Sequence, residues 1–282
     1  MRTTSNPVFR NLPQGQQGGG YANFGSAAAG AGQFANQYGQ QAQPDPWLRQ
    51  PASRAMTIDD VVTKTGITLG VLSAVALVSY LAVSSNPGLG GMLIAVGAIG
   101  GLVLALIAIF ARKTDNAALV LSYAAFEGVF LGALSRVMTS VDFGFSGGAG
   151  VIGQAVLGTF GVFFGMLVVY KTGAIRVTPR FTRMLIGAMI GVVVLMIGNL
   201  IAGFFTPGGF ELRTGGPLAI IFSLVCIAIA AFSFLLDFDA ADQLIRGQAP
   251  EKAAWGVAFG LTVTLVWLYI EILRLLSYFN ND

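Results

Sequence analysis

Seven continuous apolar runs, each about as long as a bilayer is thick, decide what this chain can become. They cover Gly66–Val83, Met92–Phe110, Ala117–Met138, Val151–Tyr170, Met184–Phe205, Leu218–Leu236 and Trp255–Leu276. About 20 apolar residues in a helix cross the hydrocarbon core. Inside that core every backbone N–H and C=O must find its partner within the protein, which leaves helices or a closed barrel. The runs are continuously apolar rather than alternating, so they predict helices. Composition agrees. Of 282 residues, 55% are hydrophobic and only 10% charged, with a mean hydropathy of +0.73. A soluble domain carries about 25% charged residues. The expected fold class is therefore an all-α integral membrane protein with seven transmembrane helices.

Residues 1–55 are rich in Gln, Gly, Asn and Ala and lack the apolar periodicity that buries a core. They predict a disordered tail, with residues 56–282 as the membrane domain. Asn6-Pro7-Val8-Phe9 and Trp47-Leu48 are its candidate docking anchors. Residues 1–46 hold no hydrophobic core of a cleavable signal peptide, so the first run is expected to direct insertion. Thr57-Ile58-Asp59-Asp60 has the form of a helix start, a Thr N-cap with acids in the first turn.

Charge placement predicts orientation. Arg2, Arg10, Arg49, Arg54 and Lys64 precede or open the first run, and Arg112 and Lys113 follow the second. Lys171, Arg176, Arg180 and Arg183 separate runs four and five, and Arg246 and Lys252 separate runs six and seven. Thirteen of the sixteen basic residues thus share one side, which the positive-inside rule assigns to the cytoplasm. The opposite connections carry Asp142, Glu211 and Arg213, with Arg136 and Arg274 near the outer ends of runs three and seven. The N-terminus is expected inside and the C-terminus outside. The net charge of +3 is too small to suggest a nucleic-acid partner. Cys226, the single cysteine, sits in run six as a packing residue. Gly97 and Gly101, Gly161 and Gly165, and Gly187 and Gly191 stand at helix-packing spacing.

Ionisable groups inside membrane-length segments are costly and are functional candidates by default. Run six ends in Asp237-Phe238-Asp239-Ala240-Ala241-Asp242, and run seven carries Glu271. At a rise of about 1.5 Å per residue, Glu127 lies about 15 Å into run three, near the midplane. Glu271 lies about 24 Å along run seven, at a level similar to Asn199. Glu127 reads either as a neutral acid bonded to a neighbouring helix or as a cavity-lining carboxylate. Glu271 reads as a partner of Arg136 or Arg274. Asp239 and Asp242 share a helix face, with Asp237 roughly opposite. Carboxylates at a helix C-terminus need compensation, and Arg112, Lys113 and Arg246 are the candidate cations. Aspartates at a pore mouth attract cations, so Asp237 and Asp239 are candidate cation contacts. The chain has no His, so a proton switch would have to be a carboxylate. No nucleophile motif and no phosphate-cradling loop is present, which argues against an enzyme and against a resident cofactor.

Several motifs together resemble the Bax inhibitor (transmembrane Bax inhibitor motif, YccA-like) family, in the form seen in actinobacteria. They are Ala125-Phe126-Glu127-Gly128 in run three, Asp237-Phe238-Asp239 closing run six and Trp267-Leu268-Tyr269-Ile270-Glu271 through Leu276 in run seven. The opening Ser5-Asn6-Pro7-Val8-Phe9 belongs to the same likeness. The resemblance implies a bundle with one central helix and a pH-sensitive calcium leak channel of a bacterial plasma membrane. It also implies two carboxylates, on helices six and seven, sharing a proton at the cytoplasmic mouth, with a basic residue of helix two holding that latch. Asp237 or Asp239 fits the first position and Thr262 falls at the second, about 10 Å in; Glu271 is about 14 Å further out. Arg112 or Lys113 fits the basic position. The alternative reading is a non-conducting partner of a membrane protease or respiratory complex, engaged through the N-terminal tail.

Overall fold

The computed structural model describes residues 54–139 and 147–279. The tail before residue 54, with its two candidate anchors, lies outside the described residues, as does Asp142. The described chain forms seven long helices: α1 (Ile58–Ser85), α2 (Gly90–Phe110), α3 (Ala117–Met138), α4 (Gly147–Thr172), α5 (Pro179–Ala202), α6 (Pro217–Arg246) and α7 (Ala253–Phe279). A one-turn 3-10 helix, Pro87–Leu89, joins α1 to α2. All seven spans are long and apolar enough to cross a membrane, and the protein is a multi-pass membrane protein.

Local chemistry sets the helix starts. Thr57 and Asp60 form a reciprocal capping box at α1. Asn116 accepts from the backbone N–H groups of Ala118 and Leu119 at α3. Thr178 caps α5, with Pro179 in the first turn where its missing N–H costs nothing. Pro217 opens α6 in the same way. α6 does not stop where its apolar run stops. It continues through the aspartates to Arg246, so Asp237 lies nine residues inside the helix, about 14 Å from its end. The helix dipole acts within the last turn, so it does not reach Asp237 as the sequence suggested.

α7 is the central helix, packing on α1, α3, α4 and α6. In its apolar stretch 61% of residues are buried, against 11% for α5, which rests on α6 and turns most of its surface to the hydrocarbon. The main core joins Phe234 and Phe238 of α6 to Leu261, Leu265 and Leu268 of α7. Phe163 of α4 meets both phenylalanine rings edge-on, at 5.3 and 5.5 Å.

The close helix contacts fall partly where the spacing predicted and partly elsewhere. Gly97 of α2 lies against the Phe130 backbone, and Gly101 against Glu127. Gly128 and Gly132 of α3 press on the Leu72 and Ala76 carbonyls of α1, which brings the two backbones into close approach. Gly161, Gly165, Gly187 and Gly191 have nothing within 4 Å. Those two pairs lie on the open faces of α4 and α5, and spacing alone does not say which face a neighbour covers.

Successive spans alternate in direction. The proximal end gathers the start of α1, the α2–α3 turn, the end of α4 and the α6–α7 loop. The distal end gathers the α5–α6 connection and the end of α7.

Candidate functional site

Near the proximal end a cavity of about 350 Å³ opens between α6, α7 and the α2–α3 turn. Asp237 and Ala240 of α6 form one wall, Gly256 and Gly260 of α7 another, and Thr114 and Asp115 the rim. Gly260 faces the acid: a Cβ there would sit in ordinary contact with Asp237 Oδ1, at 3.6 Å. A larger groove of about 380 Å³ lies between α1, α3, α4 and α7, but its lining holds no charged residue. The smaller cavity is therefore the candidate for handling ions.

Asp237 is half-buried, and its only hydrogen-bond partner among the described residues is a hydroxyl. Thr264 Oγ1 of α7 donates to Asp237 Oδ2 at 2.7 Å, with a weaker alternative at Gly260 O, 3.3 Å. No salt bridge reaches Asp237 among the described residues. Thr262, at the position the resemblance suggested, is fully buried and donates to Ala258 O at 2.7 Å within its own helix. Two residues are about 200° of helix rotation, so Thr262 faces away when Thr264 faces α6.

The same rotation separates the aspartates. Asp239 turns from the cavity and accepts from Gln243 Nε2 at 2.6 Å. Asp242 pairs with Arg246 at 2.8 Å and accepts from Tyr170 OH at 3.4 Å. Asp237 and Asp239 thus have different partners, one on α7 and one on their own helix. Among the described residues no group of three or more acids or cysteines converges as a metal site. The second carboxylate on the cavity is Asp115.

Arg112 and Lys113 do not reach the aspartates either. Both are exposed, Arg112 turns the chain out of α2 at φ 52°, and neither makes a salt bridge among the described residues. The basic residue at the rim is Lys252, which pairs with Asp115 at 3.0 Å. Nothing in the local sequence ties Asp115 to Lys252, 137 positions later, and the folded loops alone bring them together.

The deeper acids are separate. Glu127 of α3 is half-buried on the side facing α2, with Oε1 2.8 Å from where a Gly101 Cβ would sit and Tyr123 one turn before it. It does not line the Asp237 cavity. Glu271 is 1% exposed and is held at 2.8 Å through both oxygens by Arg213, with Arg274 at 3.4 Å. Arg274 was an expected partner and Arg136 was not found to be one, since its Nε donates to Ser84 Oγ at 3.0 Å. Arg213 comes from the α5–α6 connection, which Asn199 shapes by accepting from Phe210 N–H at 2.9 Å. Burial works against the Arg213 charge, but the Glu271 carboxylate outweighs it and raises the guanidinium pKa. This distal cluster gives its buried acid two guanidinium partners, whereas Asp237 has no cation beside it among the described residues.

Comparison with curated proteins finds no match to the chain. The family model described as Bax inhibitor 1 like matches residues 6–281, which takes in every helix and the Asp237 cavity. The chain belongs to the Bax inhibitor 1 like family.

Proposed function

We propose that this protein is a pH-sensitive cation leak channel of a bacterial plasma membrane, with calcium as its ion. The proximal end would face the cytoplasm, as the distribution of Lys and Arg favours. The observation that carries this reading is Asp237: a half-buried carboxylate in a cavity, bonded to a hydroxyl and to no cation among the described residues. Asp115 adds a second carboxylate to the same cavity and Thr114 a hydroxyl. Oxygen donors of this kind suit a hard divalent cation that binds weakly and keeps part of its water.

The Asp237–Thr264 bond gives the cavity its proton sensitivity in this account. It ties α6 to α7 across the cavity, and a charged acceptor makes the stronger bond. Protonation replaces that acceptor with a neutral group, and Thr264 then has Gly260 O as its alternative. The two helices that line the mouth would respond together. Reconstitution of the full chain into liposomes holding a calcium dye tests the reading. Calcium uptake that depends on the protein and on pH supports it. Liposomes no leakier than protein-free ones across the pH range would sink it and leave the regulator reading.

A further inference from the structure

The segment before α1 does more than start a helix. Ala55 and Pro250 form an antiparallel bridge. Met56 N–H donates to Ala249 O at 2.8 Å, and Glu251 N–H donates to Arg54 O at 2.9 Å. Those bonds flank the Ala55–Pro250 pair rather than pass through it, so the missing N–H of Pro250 costs no ladder bond. Side chains reinforce the bridge. Arg54 spans Asp60 at 2.6 Å and Glu251 at 3.2 Å, and Lys64 Nζ donates to Glu251 O at 2.7 Å. Met56, 2% exposed, is seated in the core with Phe234, Phe238 and Leu261.

What this segment holds is the α6–α7 loop, the hinge between the two walls of the Asp237 cavity. Ala240 and Leu244 lie before it, and Ala253 and Gly256 after it. The loop carries Gln248 at φ 51°, a conformation that residues other than glycine seldom adopt. Its other flank is tied by Lys252 to Asp115 on the cavity rim. A loop in an uncommon backbone state, fastened on both sides by groups outside it, is positioned by those fastenings.

We propose that Arg54–Thr57 is a strap that holds the α6–α7 loop and keeps the mouth of the Asp237 cavity narrow. The strap rests on the proposed function only in taking this cavity as the mouth, and its primary test needs no ion flux. In the full chain reconstituted in liposomes, Val257→Cys places a thiol on the cavity wall, where Val257 is 8% exposed. The native Cys226 is fully buried, and its own labelling rate in the unmodified protein is the background. Weakening the strap with Arg54→Gln and Glu251→Gln, which removes its ion pairs and leaves the backbone bridge, should raise the rate of labelling by a small water-soluble thiol reagent severalfold, through easier local opening. An unchanged rate overturns the strap.

A second variant covers failure to fold. Ala55→Cys with Pro250→Cys joins the bridged pair, whose Cα separation as a non-hydrogen-bonded antiparallel pair, about 4.5 Å, falls within the range of disulfides. Amide hydrogen exchange over residues 253–260 should be at least about fivefold slower oxidised than reduced. Equal exchange overturns the strap as well. Labelling and exchange that respond as stated, in a protein that passes no calcium, would keep the strap and remove the channel reading.

Discussion

Removing Arg213 tests the distal ion-pair cluster most severely. Glu271 is 1% exposed, and Arg213 gives it two bonds of 2.8 Å, whereas Arg274 gives one of 3.4 Å. Breaking a buried ion pair by deleting one partner costs about 3–5 kcal/mol, because the other charge is left buried. Arg274 stays beside Glu271 and compensates part of that, so Arg213→Met should cost about 2–3 kcal/mol. Removing both charges with Arg213→Met and Glu271→Leu should recover part of the loss, because no buried carboxylate then remains, although Arg274 loses its partner. Arg136→Met is the control: it deletes an exposed hydrogen bond to Ser84 and should stay within about 0.5 kcal/mol. Equilibrium unfolding in mixed detergent of the unmodified chain, Arg213→Met, Glu271→Leu and the double variant closes a double-mutant cycle, with Arg136→Met measured beside it. A neutral Arg213→Met, or a double variant as damaged as the sum of the singles, would refute the reasoning.

Three further outcomes follow from the packing and the cavity. Gly132→Leu should separate α1 from α3 and cost about 1–3 kcal/mol or more, whereas Gly161→Leu, with open space around it, should be near neutral in the same unfolding assay. Thr57→Ala removes the hydroxyl of the α1 capping box and should cost about 1 kcal/mol, with faster hydrogen exchange confined to the first turn of α1. Lys252→Gln releases Asp115 from its salt bridge and leaves the cavity more negative, so calcium uptake by liposomes should rise and become more sensitive to ionic strength.

The spans were legible because bilayer thickness imposes a length that single residues cannot hide. The start of α1 was legible because Thr57 and Asp60 are three apart, and such a cap is a local device. The end of α6 was not, because three aspartates look like a solvated terminus when only hydropathy is read; packing on α7 and α4 carries the helix past them. Within the site, the sequence marked Asp237 as costly but could not choose its partner. Thr262 and Thr264 differ only in rotation, and a family register drawn from motif ends does not fix two residues. Arg213, Asp115 and Lys252 act from connections whose paths are set by folded contacts far along the chain. Such pairs leave no periodic signal.

On the proposed function, Asp237, alone among the aspartates of α6, couples protons to the cation path. Calcium uptake across an acid-to-neutral pH series, compared between the unmodified chain, Asp237→Asn and Asp239→Asn, tests it most directly. Asp237→Asn should flatten the pH profile, because the carboxylate that Thr264 bonds across α6 and α7 is gone. Asp239→Asn should keep it, because that carboxylate is bonded to Gln243 on its own helix. A profile lost in Asp239→Asn, or intact in Asp237→Asn, would contradict the account.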